Sequence, residues 1–185
     1  KMLLAGMETF FQEGLKDYVE YRDYPAQAKT SHLSIALHFG EISPHRVWYA
    51  VKDYCQQHLE LTDSAEQFLR QLIWREFCYS LMFHFPSLPQ SNWRSKFDEF
   101  PWEFDQNVLL AWQQGKTGYP LIDAGMRELW QTGFMHNRVR MIVGSFLVKN
   151  CLHDWRHGAA WFWQCLFDAD LANNTQGWQW VAGCG

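Results

Sequence analysis

The sequence predicts an all-α fold. Three observations carry that prediction. Apolar residues recur at helical spacing along most of the 185 residues, and helix starts and stops are marked by capping residue types. No stretch of useful length alternates apolar and polar as a half-buried strand does. In chain order, the segment 22–34 (RDYPAQAKTSHLS) lacks a helical period and reads as a loop. Ser43 followed by Pro44 opens a helix, because proline costs nothing at a position whose N–H has no intrahelical partner. Thr62 and Asp63 precede a run over 66–85 whose apolar stripe is Phe68, Leu69, Leu72, Ile73 and Phe77. The proline-rich segment 86–101 reads as a long ordered loop. Asp105, Tyr119–Pro120 and His157–Gly158 mark further starts, with Gly115 and Gly133 as stops and another helix over 135–148.

Composition narrows the function classes. Hydrophobic residues make up 48% of the chain, too many for disorder, and the length suits one domain with a sizeable core. No apolar run approaches the roughly 20 residues of a membrane span, and KMLLAGMETF has no long apolar core or small-residue cleavage site, so neither membrane insertion nor a signal peptide is expected. A net charge of -4 argues against an indiscriminate nucleic-acid binder, although Arg127, Arg138, Arg140, Lys149 and Arg156 concentrate positive charge in one region. The five cysteines are odd in number and scattered, which suggests reduced thiols and a cytoplasmic protein. Asp168 and Asp170 have no clustered third ligand, so no metal site is expected.

Two helical faces mix residue types in a way that a plain core does not. Over 66–85, Gln71, Trp74, Arg75 and Cys78 fall together beside the apolar stripe; Trp74 either widens that stripe or faces a ligand. Over 135–148, Asn137, Arg140, Met141 and Gly144 share a face that suits a ligand wall, or a close helix–helix contact made at the glycine. The chain carries 11 tryptophans, and Trp178 and Trp180 lie two residues apart after Asp168-Ala169-Asp170 and Asn173-Asn174. Residues two apart point in different directions, so these rings serve two compartments and not one stacking pocket.

The segments TSHLS (30–34), LIWREF (72–77), GKTGYP (115–120), MHNRVRM (135–141), SFLVK (145–149) and DADLANN…GWQW (168–180) together resemble the FAD-binding helical domain of the DNA photolyase/cryptochrome family. The resemblance runs from about Tyr18 to Gly185. It implies a partial domain, residues 1–185, lacking the family's N-terminal α/β antenna domain and its C-terminal end. It further implies light-driven repair of cyclobutane pyrimidine dimers by electron transfer from reduced FAD, with UV-damaged DNA as partner and a monomeric protein. A cryptochrome-like photoreceptor, or a piece too short to hold FAD, are the alternatives. The antenna chromophore is not legible.

By motif position, the resemblance places Tyr18, Thr30, Ser31, His32, Leu33 and Ser34 at the diphosphate and ribityl chain of FAD. It pairs Arg140 with Asp168 beside the flavin, sets Ala169 and Asp170 near the ring's polar edge, and brings Asn174 to N5. Gln71, Trp74, Asn137, Met141 and Trp180 match the lesion pocket, with Arg75 and Arg138 as DNA contacts. Trp102, Trp155 and Trp178 match the family's electron-transfer chain. Three departures stand out. Gln71 replaces the glutamate usual in cyclobutane-dimer photolyases, as in (6-4) photolyases, but those carry histidines where Asn137 and Met141 stand. His32 replaces an arginine, and Phe134 replaces a common tryptophan.

Overall fold

The computed structural model describes residues 2–27 and 29–185, with side chains from Gly6 onward, and every regular element among them is helical. Contacts divide the chain into two compact units, Lys1–Phe77 and Cys78–Gly185.

The first unit holds α1 (Met2–Thr9), α2 (Tyr18–Tyr21), α3 (Leu33–His38), α4 (Pro44–Gln57) and the first part of α5 (Thr62–His84), with a π turn at Phe10–Gly14. Ser43 caps α4 by accepting from the Arg46 N–H at 3.2 Å, with Pro44 in the first turn. Its core gathers Phe10, Phe11, Leu15, Tyr18, Val47, Val51, Phe68, Leu69 and Leu72. The apolar stripe expected on α5 is buried only as far as Leu72. Ile73 and Phe77 are 55% and 48% exposed, because this unit's core ends with the turn that contains Leu72.

The second unit holds α6 (Gln106–Gln113), α7 (Pro120–Thr132), α8 (Asn137–Ser145), α9 (Trp155–Cys165) and α10 (Leu171–Ala182) around Trp112, Met126, Leu129, Met135, Val143, Leu147, Trp155, Phe162 and Trp178. Asp105 caps α6 through the Asn107 and Val108 N–H groups, and Gly133 closes α7 at φ 66°, a left-handed conformation that favours glycine. The start of α9 differs from expectation. Asp154 accepts from the Arg156 N–H at 2.9 Å and opens the helix at Trp155, while Gly158 lies inside it. There a Cβ would stand 2.1 Å from the Trp178 ring, so this glycine makes room for α10 and does not mark a boundary. Gly144 is likewise a packing residue: it is buried and faces Val181 and Trp178, so the glycine makes a close helix–helix contact.

The loop 86–101 is ordered, as its prolines suggest, but its anchor is an amide. Gln179 is fully buried; its Nε2 donates to the Leu88 and Ser91 carbonyls at 3.0 and 2.7 Å, and its Oε1 accepts from the Trp93 N–H at 3.1 Å.

Candidate flavin and nucleic-acid site

In the first unit, Tyr18 sits in the core. Its ring makes edge contacts with Phe10 and Phe68 at 5.9 and 5.5 Å. Burial pushes its phenol above the ordinary value, with Arg22 pulling the other way, so it stays protonated and able to donate a hydrogen bond. Thr30 and Ser31 are half-buried, Leu33 is buried, and Ser34 is exposed at the start of α3. His32 takes a left-handed conformation at φ 53° with its side chain exposed. On α5, Trp74 is 61% exposed, so it does not widen the buried stripe. Gln71 lies one turn earlier on the same face and donates to the Gln67 carbonyl at 3.0 Å, which leaves its amide oxygen as the end able to meet a ligand donor. Arg75 pairs with Glu76 and reaches the Leu37 carbonyl, a set of partners that suits anchoring as well as a phosphate contact.

In the second unit the polar candidates cluster at the starts of α8 and α10. The Arg140 guanidinium donates to Asp168 at 2.9 Å and to the Met135 carbonyl at 2.7 Å, and lies 5.7 Å from the Phe134 ring centre. Phenylalanine at 134 therefore keeps an aromatic face for the arginine. The Asp168 side chain is only 5% exposed, and its Oδ1 is buried without a hydrogen-bond partner. A buried lone pair of this kind is costly unless a donor meets it. Asp170 caps α10, its Oδ1 accepting from Asn173 N and Nδ2, while its Oδ2 accepts from the Tyr79 hydroxyl. Ala169 between them is buried. Asn174 donates its Nδ2 to the Ala159 carbonyl at 3.0 Å. A carbonyl can only accept, so this bond fixes the amide orientation and turns Oδ1 toward any incoming donor.

Asn137, Arg138 and Met141 form one group on α8, with Asn137 Nδ2 and an Arg138 guanidinium nitrogen 3.8 and 3.3 Å from the Met141 sulfur. Met141 and Trp180 line the same cavity of about 590 Å³, whose other walls include Tyr119, Ile142, Phe146 and Lys149. Trp180 is 61% exposed there, whereas Trp178, two residues earlier, is 3% exposed. The two indoles therefore point apart, as their spacing requires.

Trp178 packs edge-on against Phe162 and Trp112 at 5.0 and 6.2 Å. Trp155 stands one turn before the Gly158 that lies under the Trp178 ring. Trp155 is fully buried and donates its indole N–H to Asn92 Oδ1 at 2.9 Å. Trp102 is half-buried, stacks obliquely on Phe100 at 4.3 Å, and has a buried Nε1 with no partner. Its segment is held by Glu103 N donating to the Leu152 carbonyl and by buried His153, whose Nε2 lies 3.0 Å from the Asp105 carbonyl. Gln179, Asn92 and His153 are thus the residues that sequence reasoning missed. A buried amide or imidazole in an aromatic run has no periodic signature, although Gln179 between two tryptophans was open to the question of what such an amide bonds.

Among the described residues, no group of three or more potential ligands could hold a metal ion, none of the five cysteines is in a disulfide, and no helix is long and apolar enough to cross a membrane.

Residues 68–185 match the family described as the FAD binding domain of DNA photolyase. The chain is 52% identical over 182 residues to a deoxyribodipyrimidine photo-lyase of Agrobacterium fabrum, covering 98% of this chain and 38% of that protein. Among solved structures, a bacterial class III photolyase from Agrobacterium tumefaciens superposes with a TM-score of 0.95 at 51% identity, covering 99% of this chain and 38% of that one. A cryptochrome from Synechocystis sp. PCC6803 superposes with a TM-score of 0.93 at 39% identity, covering 100% of this chain and 38% of that one. The chain spans a little over a third of the length of these relatives.

Proposed function

Because the chain belongs to the family of FAD-binding domains of DNA photolyases, we propose that the protein containing it is a deoxyribodipyrimidine photolyase that uses FAD and light to split cyclobutane pyrimidine dimers in UV-damaged DNA. The observation that carries this reading is the division of labour on α10. One helix offers a fixed amide oxygen at Asn174, a buried indole at Trp178, and an exposed indole lining a cavity at Trp180.

The residues of the second unit fit a flavin ring. Asp168 Oδ1, buried and unpartnered, requires a donor, and the polar edge of an isoalloxazine carries an N–H. Arg140 orients that carboxylate; Asp170 and Ala169 would border the same edge of the ring, and Asn174 Oδ1 would accept from a flavin N–H. In the first unit, Thr30, Ser31 and Ser34 supply hydroxyls to phosphate oxygens, with Tyr18, His32 and Leu33 bordering them. When bound and reduced, FAD supplies one electron to the dimer under light and receives it back, so there is no net redox change.

In the second unit, Trp180 stacks on the extruded dimer, with Met141 as a pliable wall and Asn137 as a hydrogen-bonding partner. In the first unit, Trp74 offers a stacking face and Gln71 a hydrogen-bonding amide. Extrusion is easier for a dimer than for an intact base because the lesion is already poorly stacked and paired. Arg75 and Arg138 meet phosphates. Trp102, Trp155 and Trp178 conduct an electron inward for photoreduction. The protein acts as a monomer, and cysteines outside disulfides suit the cytoplasm. The chain is one part of a longer domain, preceded by an antenna domain.

The test is repair of a thymine-dimer oligonucleotide by the reduced, flavin-loaded protein under blue light. Repair is expected, and its absence with flavin fully bound and reduced overturns the proposal. A second reading, a cryptochrome-like photoreceptor, is favoured by Gln71, which brings neither charge nor a transferable proton. It requires photoreduction with no preference for dimer-containing DNA.

A further inference from the structure

Two of the three tryptophans read as conductors, Trp102 and Trp155, differ in what meets the indole N–H. Trp102 Nε1 is buried without a partner, while Trp155 donates to Asn92 Oδ1 at 2.9 Å. Asn92 is itself buried, on the loop that Gln179 anchors, and its Nδ2 donates to Asp98 at 2.7 Å. Both ends of the amide are therefore occupied, and its oxygen cannot turn away from the ring. We propose that Asn92 is a positioning residue for electron transfer through Trp155: its fixed amide oxygen stabilises the ring's radical cation and leaves the indole proton in place. This rests on the reading of Trp155 as a conductor.

The step balances simply. Light drives an electron from Trp178 to the bound flavin, and the Trp178 radical cation is the oxidant. Trp155 gives one electron to it, so Trp178 is reduced to the neutral ring and Trp155 becomes the radical cation; no bond forms or breaks. Losing an electron acidifies the indole N–H and turns an ordinary hydrogen bond into a charge-assisted one, which is roughly twice as strong. The acceptor is thus worth more after oxidation than before it, and being already in place it needs no reorganisation. An amide oxygen is too weak a base to remove the proton, so the hole stays mobile; a carboxylate at the same point would trap it as a neutral radical. The Arg156 guanidinium, 5.9 Å from the ring centre, opposes oxidation, but Asp154 holds it at 2.6 Å and offsets its field.

Two variants separate these effects. Asn92→Leu removes the acceptor. Asn92→Asp with Asp98→Asn keeps both hydrogen bonds and the total charge but sets a base against the indole, so it also guards against misfolding of the first variant. In the unilluminated protein, the Trp155 indole ¹H–¹⁵N resonance should move upfield in Asn92→Leu. In the flavin-loaded protein after a flash, radical separation should slow about tenfold in Asn92→Leu. The double variant should give a deprotonated neutral tryptophan radical where the parent gives the protonated one. An unmoved resonance, or unchanged rate and protonation in both variants, overturns the assignment. A parent protein that forms no tryptophan radical overturns the conduction reading and this role with it. That outcome is recognisable because the indole resonance still moves.

Discussion

Replacing Gln179 with leucine should destabilise the second unit far more than its single side chain suggests. The native amide makes four hydrogen bonds: to the Leu88 and Ser91 carbonyls, from the Trp93 N–H, and from the Cys184 thiol at 2.8 Å. Leucine fills much of the same volume, so the cavity term is small and the loss is polar. Each bond contributes about 0.5–1.5 kcal/mol net, and a buried carbonyl or N–H left unsatisfied costs about 1–3 kcal/mol. Trp93 is 38% exposed, whereas Leu88 is buried, so the costs are unequal. A total of about 3–5 kcal/mol follows, a large part of the 5–15 kcal/mol that holds a typical domain together. Urea unfolding followed by tryptophan fluorescence measures it, with Gln71→Leu as the comparison, since Gln71 makes one local bond at a half-buried position and should lose under about 1 kcal/mol. If Gln179→Leu lost no more than Gln71→Leu, the amide would not be the anchor of the loop.

Three further outcomes are expected. Gly158→Ala places a Cβ 2.1 Å from a buried, rigid indole, so it should cost at least 1–3 kcal/mol in urea unfolding and shift Trp178 fluorescence. Burial pushes the Asp123 carboxyl up, but hydrogen bonds from the Thr117 hydroxyl, Thr117 N–H and Gly118 N–H, with Arg127 nearby, more than reverse this and hold it below its ordinary 3.8. A depressed carboxyl adds stability that is present in full above its unfolded value and is lost as pH falls through the folded one. Asp123→Asn should therefore flatten the acid side of the thermal midpoint against pH. Trp74→Ala should weaken binding of dimer-containing DNA by about 1–3 kcal/mol with photoreduction unchanged, as read by fluorescence anisotropy and flavin bleaching.

The helical class was legible because it depends on local signals: Ser43–Pro44, Asp105, Tyr119–Pro120 and Gly133 act within one turn, and the structure uses each. The Trp178–Trp180 divergence was legible for the same reason, since it follows from helical geometry alone. Gly158 misled because a glycine that relieves a distant ring and a glycine that marks a helix boundary look alike along the chain. The stripe on α5 was overextended because periodicity shows which residues share a face but not where the neighbouring core stops. Gln179 and Asn92 were invisible because their partners are backbone carbonyls and an indole more than sixty residues away in sequence.

The most direct test of the account is a crossed measurement on Trp178→Phe and Trp180→Ala, reading both the photoreduction rate and the affinity for thymine-dimer DNA. Trp178→Phe should slow photoreduction sharply and leave affinity and repair by pre-reduced protein largely intact. Trp180→Ala should do the reverse. Equal loss of both properties in both variants would contradict the division of α10 into a conducting face and a DNA-binding face.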